Sequence, residues 1–101
     1  MVATVAGANV DLASVTTPGG FCILMNLDPT NYVEVGIWDP DSSKFYPMFE
    51  LLPGEFYVTR LARNIEEEYG TGTGTVGADT NRLRLKADTA ACKVFVGVFD
   101  K

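Results

Sequence analysis

Residues 26–61 constrain this chain more than any other stretch, because strand-like runs there are cut three times by proline-bearing turns. The run YVEVGIW at 32–38 puts Val33, Val35 and Ile37 on one side and Tyr32, Glu34, Gly36 and Trp38 on the other. A period of two sustained in this way is the signature of a half-buried strand. Asp28-Pro29-Thr30-Asn31 and Asp39-Pro40-Asp41-Ser42 each set proline where a turn wants φ near about −65°, behind an aspartate able to bond the backbone. Leu52-Pro53-Gly54-Glu55 carries the Pro-Gly pair of a type II turn. These patterns dictate an antiparallel meander; they dictate no reaction.

The remaining segments extend the same theme. Val2, Val5, Val10 and Val15 punctuate an Ala- and Thr-rich start broken at Gly7, so residues 1–17 read as an arm or edge strand made of 2–5 and 10–15, closed by Pro18-Gly19-Gly20. Phe21, Ile23, Met25 and Leu27 share one face of the next run. Runs at 45–52 and 56–61 follow, with the Lys44-Phe45-Tyr46 stretch closing the Asp39 hairpin. Leu83, Leu85 and Ala87 oppose Arg82, Arg84 and Lys86; Cys92, Val94, Val96 and Val98 oppose Lys93, Phe95, Gly97 and Phe99. Between these blocks, Asn64 with Glu67 fits a capping pattern, and the segment reads as a single helical turn or a polar strand end. Residues 70–77, alternating glycine and threonine, read as a flexible loop within an insertion at 64–82. The expected fold is all-β: one domain over 1–101, an antiparallel β-sandwich (jelly-roll or immunoglobulin-like) of about seven or eight short strands with one long Gly/Thr-rich loop.

Composition narrows the function. The net charge of −5 disfavours a nucleic-acid binder, whose affinity comes from neutralising phosphates. The apolar run Phe21-Cys22-Ile23-Leu24-Met25 is too short to cross a bilayer, and the start MVATVAGANV lacks the basic end and apolar block of a signal peptide. Cys22 and Cys92 read as buried thiols in a reducing compartment, with a disulfide between neighbouring strands as the other reading.

The chain has no histidine, the commonest general base and metal ligand, so Ser14, Ser42, Ser43 and the two thiols lack an activating partner. Glu50 and Glu55 resemble a glycosidase pair only in residue type, and exposed turn carboxylates without a cleft are commoner. Gly72-Thr73-Gly74-Thr75-Val76-Gly77 spells a dinucleotide motif, yet no helix pattern follows it. Asp39, Asp41, Ser43 and Glu50 fall on calcium-loop positions, but Lys44 stands where that loop needs glycine. The reading is a non-enzyme with no cofactor and no metal.

The segments NLDPTNYVEVG (26–36), LLPGEF (51–56) and KADTAAC (86–92) also carry a resemblance. Together they resemble small virion structural proteins of tailed bacteriophages, over roughly a quarter of the chain; the stretch 64–82 departs from that pattern, being longer and richer in glycine and threonine. The resemblance implies a non-enzymatic component that decorates or cements a particle. It would be located in the virion after synthesis in the bacterial host cytoplasm. Its partners would be copies of itself and other virion proteins, major capsid or tail, and not nucleic acid or membrane.

Candidate contact residues follow from the strand patterns. Phe95 and Phe99 stand on the face of the last run that its lysines mark as outward, so a neighbouring subunit or residues 2–15 should cover them. Trp38 and Tyr32, with Tyr46, read as ring surfaces for packing or, alternatively, as a glycan-binding module recognising a host surface through the Trp38 hairpin. Arg82, Arg84 and Lys86 form a basic row suited to an acidic partner or to guarding an edge.

Overall fold

In a computed structural model, described here over residues 1–12, 14–17, 19–65 and 82–101, the chain forms eight strands and, among the described residues, no helix. They are β1 (Val2–Ala3), β2 (Ala8–Asn9), β3 (Phe21–Asn26), β4 (Val33–Asp39), β5 (Lys44–Leu51), β6 (Phe56–Arg60), β7 (Arg82–Ala87) and β8 (Cys92–Val98). Each strand of the first half pairs antiparallel with its mirror in the second: β1 with β8, β2 with β7, β3 with β6, β4 with β5. The chain is a double ribbon folded back at the Asp39 hairpin. Two further ladders, β3–β8 and β4–β7, roll it into sheets ordered β1-β8-β3-β6 and β2-β7-β4-β5. Of the two sandwich types expected, this is the jelly-roll order.

The turns form for the reasons their residues suggest. The Asp28 carboxylate accepts the amides of Thr30 at 2.9 Å and Asn31 at 2.6 Å. Asp39 accepts the Asp41 amide at 3.0 Å and the Ser42 hydroxyl at 2.7 Å, and Ser43 closes that hairpin at φ 53. Leu52 accepts the Glu55 amide at 2.9 Å while Gly54 takes φ 80, the positive value a type II turn requires at that position. Within the β4–β5 ladder the register shifts between Val35 and Gly36. Gly36 is required there, since a Cβ would run into the Tyr46 carbonyl and Pro47.

Leu24, Val33, Val35, Leu85 and Val94 lead an aliphatic core that Cys22 and Cys92 complete as buried free thiols. The strand register sets Cys22 opposite Val98, at the far end of β8 from Cys92, so the two thiols do not bridge. Burial raises the pKa of both thiols above its ordinary value; Asp28 and Asp88 push Cys92 further the same way.

Two expectations change, and a third falls largely outside the described residues. The second strand of the N-terminal arm is Ala8–Asn9, not 10–15, because a turn closed by the Gly7 amide on the Thr4 carbonyl brings the chain to β7 earlier. Val10 and Leu12 are instead buried outside any strand. Around Asn64 the described chain makes a turn, the Ile65 amide on the Ala62 carbonyl, while Glu67 and the Gly/Thr loop at 70–77 lie outside the described residues. The arm also leaves Phe95 and Phe99 uncovered: β1 runs along the edge of β8, and the two rings are 51% and 53% exposed.

Candidate functional site

None of the described aromatic side chains belongs to the buried core. In a domain of this size that is a cost, because rings carry the largest apolar areas available. Four of the ten, all phenylalanines, gather on the outer face of the first sheet. Strand alternation turns Phe21, Ile23 and Met25 of β3, Phe56, Val58 and Arg60 of β6, and Phe95 and Gly97 of β8 to that side. Register then sets them in rows: Phe95–Met25–Phe56, Gly97–Ile23–Val58, and Phe21–Arg60 with Phe99 bonded to Phe21 through the backbone at 2.9 Å.

Phe21, Phe56, Val58, Phe95 and Phe99 are each half exposed or more. At about 100 Å² for each of the four half-exposed rings, with Val58, Ile23 and Met25 adding roughly half as much again, the face offers roughly 600 Å² of apolar surface, the upper end of what a monomer leaves in water. Each half-exposed ring forgoes about 1 kcal/mol of burial. The single charge in these rows is Arg60, and it is held. Its guanidinium lies 4.7 Å from the Phe21 ring centre and donates to the Gly19 carbonyl at 2.8 Å. The rings of Phe95 and Phe99 lean over Gly97, which forms the floor of a notch between them.

The other sequence-predicted contact residues do not join this face. Trp38, Arg82, Arg84 and Lys86 stand on the outer face of the opposite sheet, so the proposed set divides between two sides of the sandwich. Arg84 is a structural clamp. It sits 4.1 Å over the Trp38 ring and donates to Asn9 at 3.0 Å and to the carbonyls of Ala6 and Gly7 at 3.2 and 3.3 Å. One face of Trp38 is thereby covered.

Tyr32, just before β4, stands six positions, about 20 Å of strand, from Trp38 at the other end. Its hydroxyl pKa is raised first by Asp88 and also by Glu34 and Glu50. Tyr46 pairs with Ile37 and so points to the side opposite Trp38. The three rings form no common platform.

The carboxylate patterns resolve in a similar way. Glu50 lies opposite Glu34, well up the strand from the Asp39 turn, and does not complete a calcium loop. Glu55 accepts the Leu52 amide at 2.7 Å; with Glu50 it borders a shallow recess of about 270 Å³. A larger apolar cleft of about 380 Å³ opens between the sheets where β5 and β6 diverge, with Leu24, Val35, Phe49, Tyr57 and Leu83 in its walls.

The three stretches behind the resemblance meet at one end of the sandwich around Asn26. That side chain is fully buried, donates to the carbonyls of Asn31 at 2.8 Å and Leu51 at 3.0 Å, and accepts the Asp28 amide at 2.9 Å. Its backbone exchanges bonds with Glu55 and Gly54, and Thr89 donates to Asn31 at 2.9 Å. Comparison with protein families, curated proteins and solved structures finds no match.

Sequence reasoning found Phe95 and Phe99 but missed Phe21, Phe56, Val58 and their half-buried neighbours Ile23 and Met25. The available signal was that both sides of the 21–27 run are apolar, with the polar Asn26 on the side lacking rings.

Proposed function

We propose that this protein is a non-enzymatic structural subunit of a bacteriophage particle, which it decorates or cements through the outer face of its first sheet. One observation carries the reading: the domain keeps an aliphatic core and sets four exposed phenylalanines in strand-ordered rows on one outer face, where the one charge in the rows, Arg60, is held against Phe21. Aromatic anchors backed by a rigid sheet are what dominate protein–protein contacts. The assignment to a phage particle rests on the resemblance of 26–36, 51–56 and 86–92 to virion proteins. The jelly-roll order is shared by capsid and lectin domains alike, so the fold itself does not choose between them. The surface supports the subunit reading over the sugar-binding one. A sugar site needs an open ring platform, and Trp38 is clamped by Arg84 whereas the apolar face is open.

The test is Phe95→Ser with Phe99→Ser, beside Val96→Ser on the core side of the same strand. The outer pair should stay folded and disappear from purified particles; the inner change should destabilise the domain itself. Incorporation of the outer-pair variant at normal copy number would overturn the reading.

A further inference from the structure

The first sheet ends in two unlike edges. β1 is two residues long and lies against the first positions of β8. β6, Phe56–Arg60, is a five-residue strand whose far side has no partner strand among the described residues. In the β3–β6 ladder, the Leu61 amide bonds the Gly20 carbonyl and the Asn26 amide bonds that of Glu55. By the alternation of an antiparallel ladder, Tyr57 and Thr59 also turn their backbone groups to β3, so Phe56, Val58 and Arg60 present theirs to the open side.

Natural edges are commonly blunted with proline, inward charge or a bulge. β5, the neighbouring edge in the other sheet, has Pro47 and a register shift. β6 reads Phe-Tyr-Val-Thr-Arg, without proline, inward charge or bulge, and its one charge, Arg60 at the strand end, is held by Phe21 and the Gly19 carbonyl.

We infer that β6 pairs antiparallel with β6 of a second copy, joining two first sheets into one eight-stranded sheet. The strand is self-complementary in one register. With Val58 facing Val58 of the other copy across a two-fold axis, every open backbone group of Phe56, Val58 and Arg60 finds a partner. Phe56 of each copy then faces Arg60 of the other, repeating across the junction the guanidinium–ring contact that Arg60 already makes with Phe21 at 4.7 Å.

The assembly closes at two copies, because pairing across a two-fold axis uses the β6 edge of both. It also bears on size. Two-fold pairing in the plane of the sheet leaves both apolar faces on one side. The roughly 600 Å² of one copy, below the about 800 Å² per partner of a stable interface, becomes about 1,200 Å². This pairing rests on the proposed function and deepens it: it uses the open backbone edge of Phe56, Val58 and Arg60, whose side chains also belong to the outer face.

The experiment is sedimentation velocity across the micromolar range, with amide hydrogen exchange on the same samples. The parent should be a dimer in which the Phe56, Val58 and Arg60 amides are protected, losing that protection on dilution. Val58→Pro removes the amide at the two-fold axis, at an edge position where proline is tolerated. Val58→Lys instead sets two like charges face to face there. Either should weaken dimerisation at least about tenfold while the monomer keeps its strand signal. A parent that stays monomeric at high concentration overturns the inference, as does a dimer in which these three amides exchange freely. The second outcome leaves the outer face as the contact, so the proposed function survives it. Phe95→Ser with Phe99→Ser should dimerise normally and still fail to join particles, which separates the two claims.

Discussion

The outer faces of the two sheets are built from the same alternation and reach opposite ends. On the second sheet, Glu50–Glu34–Lys86 make a charged row, and Arg84 is folded over Trp38 and tied to the turn between β1 and β2. The Trp38 ring there has a companion from its own chain. On the first sheet the corresponding positions hold Phe21, Phe56, Val58, Phe95 and Phe99, with one guanidinium among them. A strand of a two-layer sandwich normally buries one side and solvates the other. The second sheet obeys that rule; the first does not. Of the two outer faces only this one departs from the rule, and that marks it as a contact surface.

The largest expected effect is on the device that ties the sheets together. Asn26→Ala should remove about 3 kcal/mol or more, because the carbonyls of Asn31 and Leu51 and the Asp28 amide lose a buried partner. Denaturant unfolding measures this, and a loss below about 1 kcal/mol would mean that water replaces the amide.

Next comes the contrast within β8. Val96→Ser should cost about 2 kcal/mol, as a hydroxyl replaces methyls packed on the core, whereas Phe95→Ser should cost about 1 kcal/mol, the share of its half-buried ring. Equal losses in thermal melts would mean that the outer face already packs within the monomer.

On the second sheet, Arg84→Ala should cost about 1–2 kcal/mol through the lost Trp38 stacking and carbonyl bonds. Lys86→Ala should stay within about 0.5 kcal/mol. A clamp without effect would place Trp38 among free surface rings.

The smallest effect is a pH dependence. The amides of Asn31 and then Thr30 hold the Asp28 carboxyl below its ordinary value. The folded state therefore binds this proton less readily than the unfolded chain. The turn's contribution is complete at neutral pH and is lost as pH falls through the carboxylate range, below about 4. Asp28→Asn should be slightly less stable than the parent at pH 7 and converge with it in acid. Parallel stability curves down to low pH would contradict the assignment.

The turns were legible in the sequence because proline, glycine and aspartate act on their own neighbours: Asp28, Asp39 and Gly54 do what their chemistry suggests. The alternating runs were legible as strands for the same reason. The sandwich was therefore readable, and the jelly-roll order was not, because pairing each strand with its mirror is a long-range choice.

The face choice of β3 was equally hidden. Phe21, Ile23 and Met25 are bulkier than Cys22, Leu24 and Asn26, yet the smaller set lies inside. What decides it is the ladder with β6 and β8 and the bonds of Asn26 to Leu51, neither of which has a local signature. Phe56 and Val58 escaped notice because their significance depends on standing beside Met25 and Ile23. Trp38 was overvalued because nothing near it in sequence announces Arg84.

The most direct measurement is radical footprinting of the aromatic side chains in the isolated protein and in purified particles. The account predicts strong protection of Phe21, Phe56, Phe95 and Phe99 on assembly, with Trp38 and Tyr46 oxidised at unchanged rates. Protection of Trp38 and Tyr46, with the phenylalanines of the first sheet left reactive, would contradict it and move the contact to the opposite face.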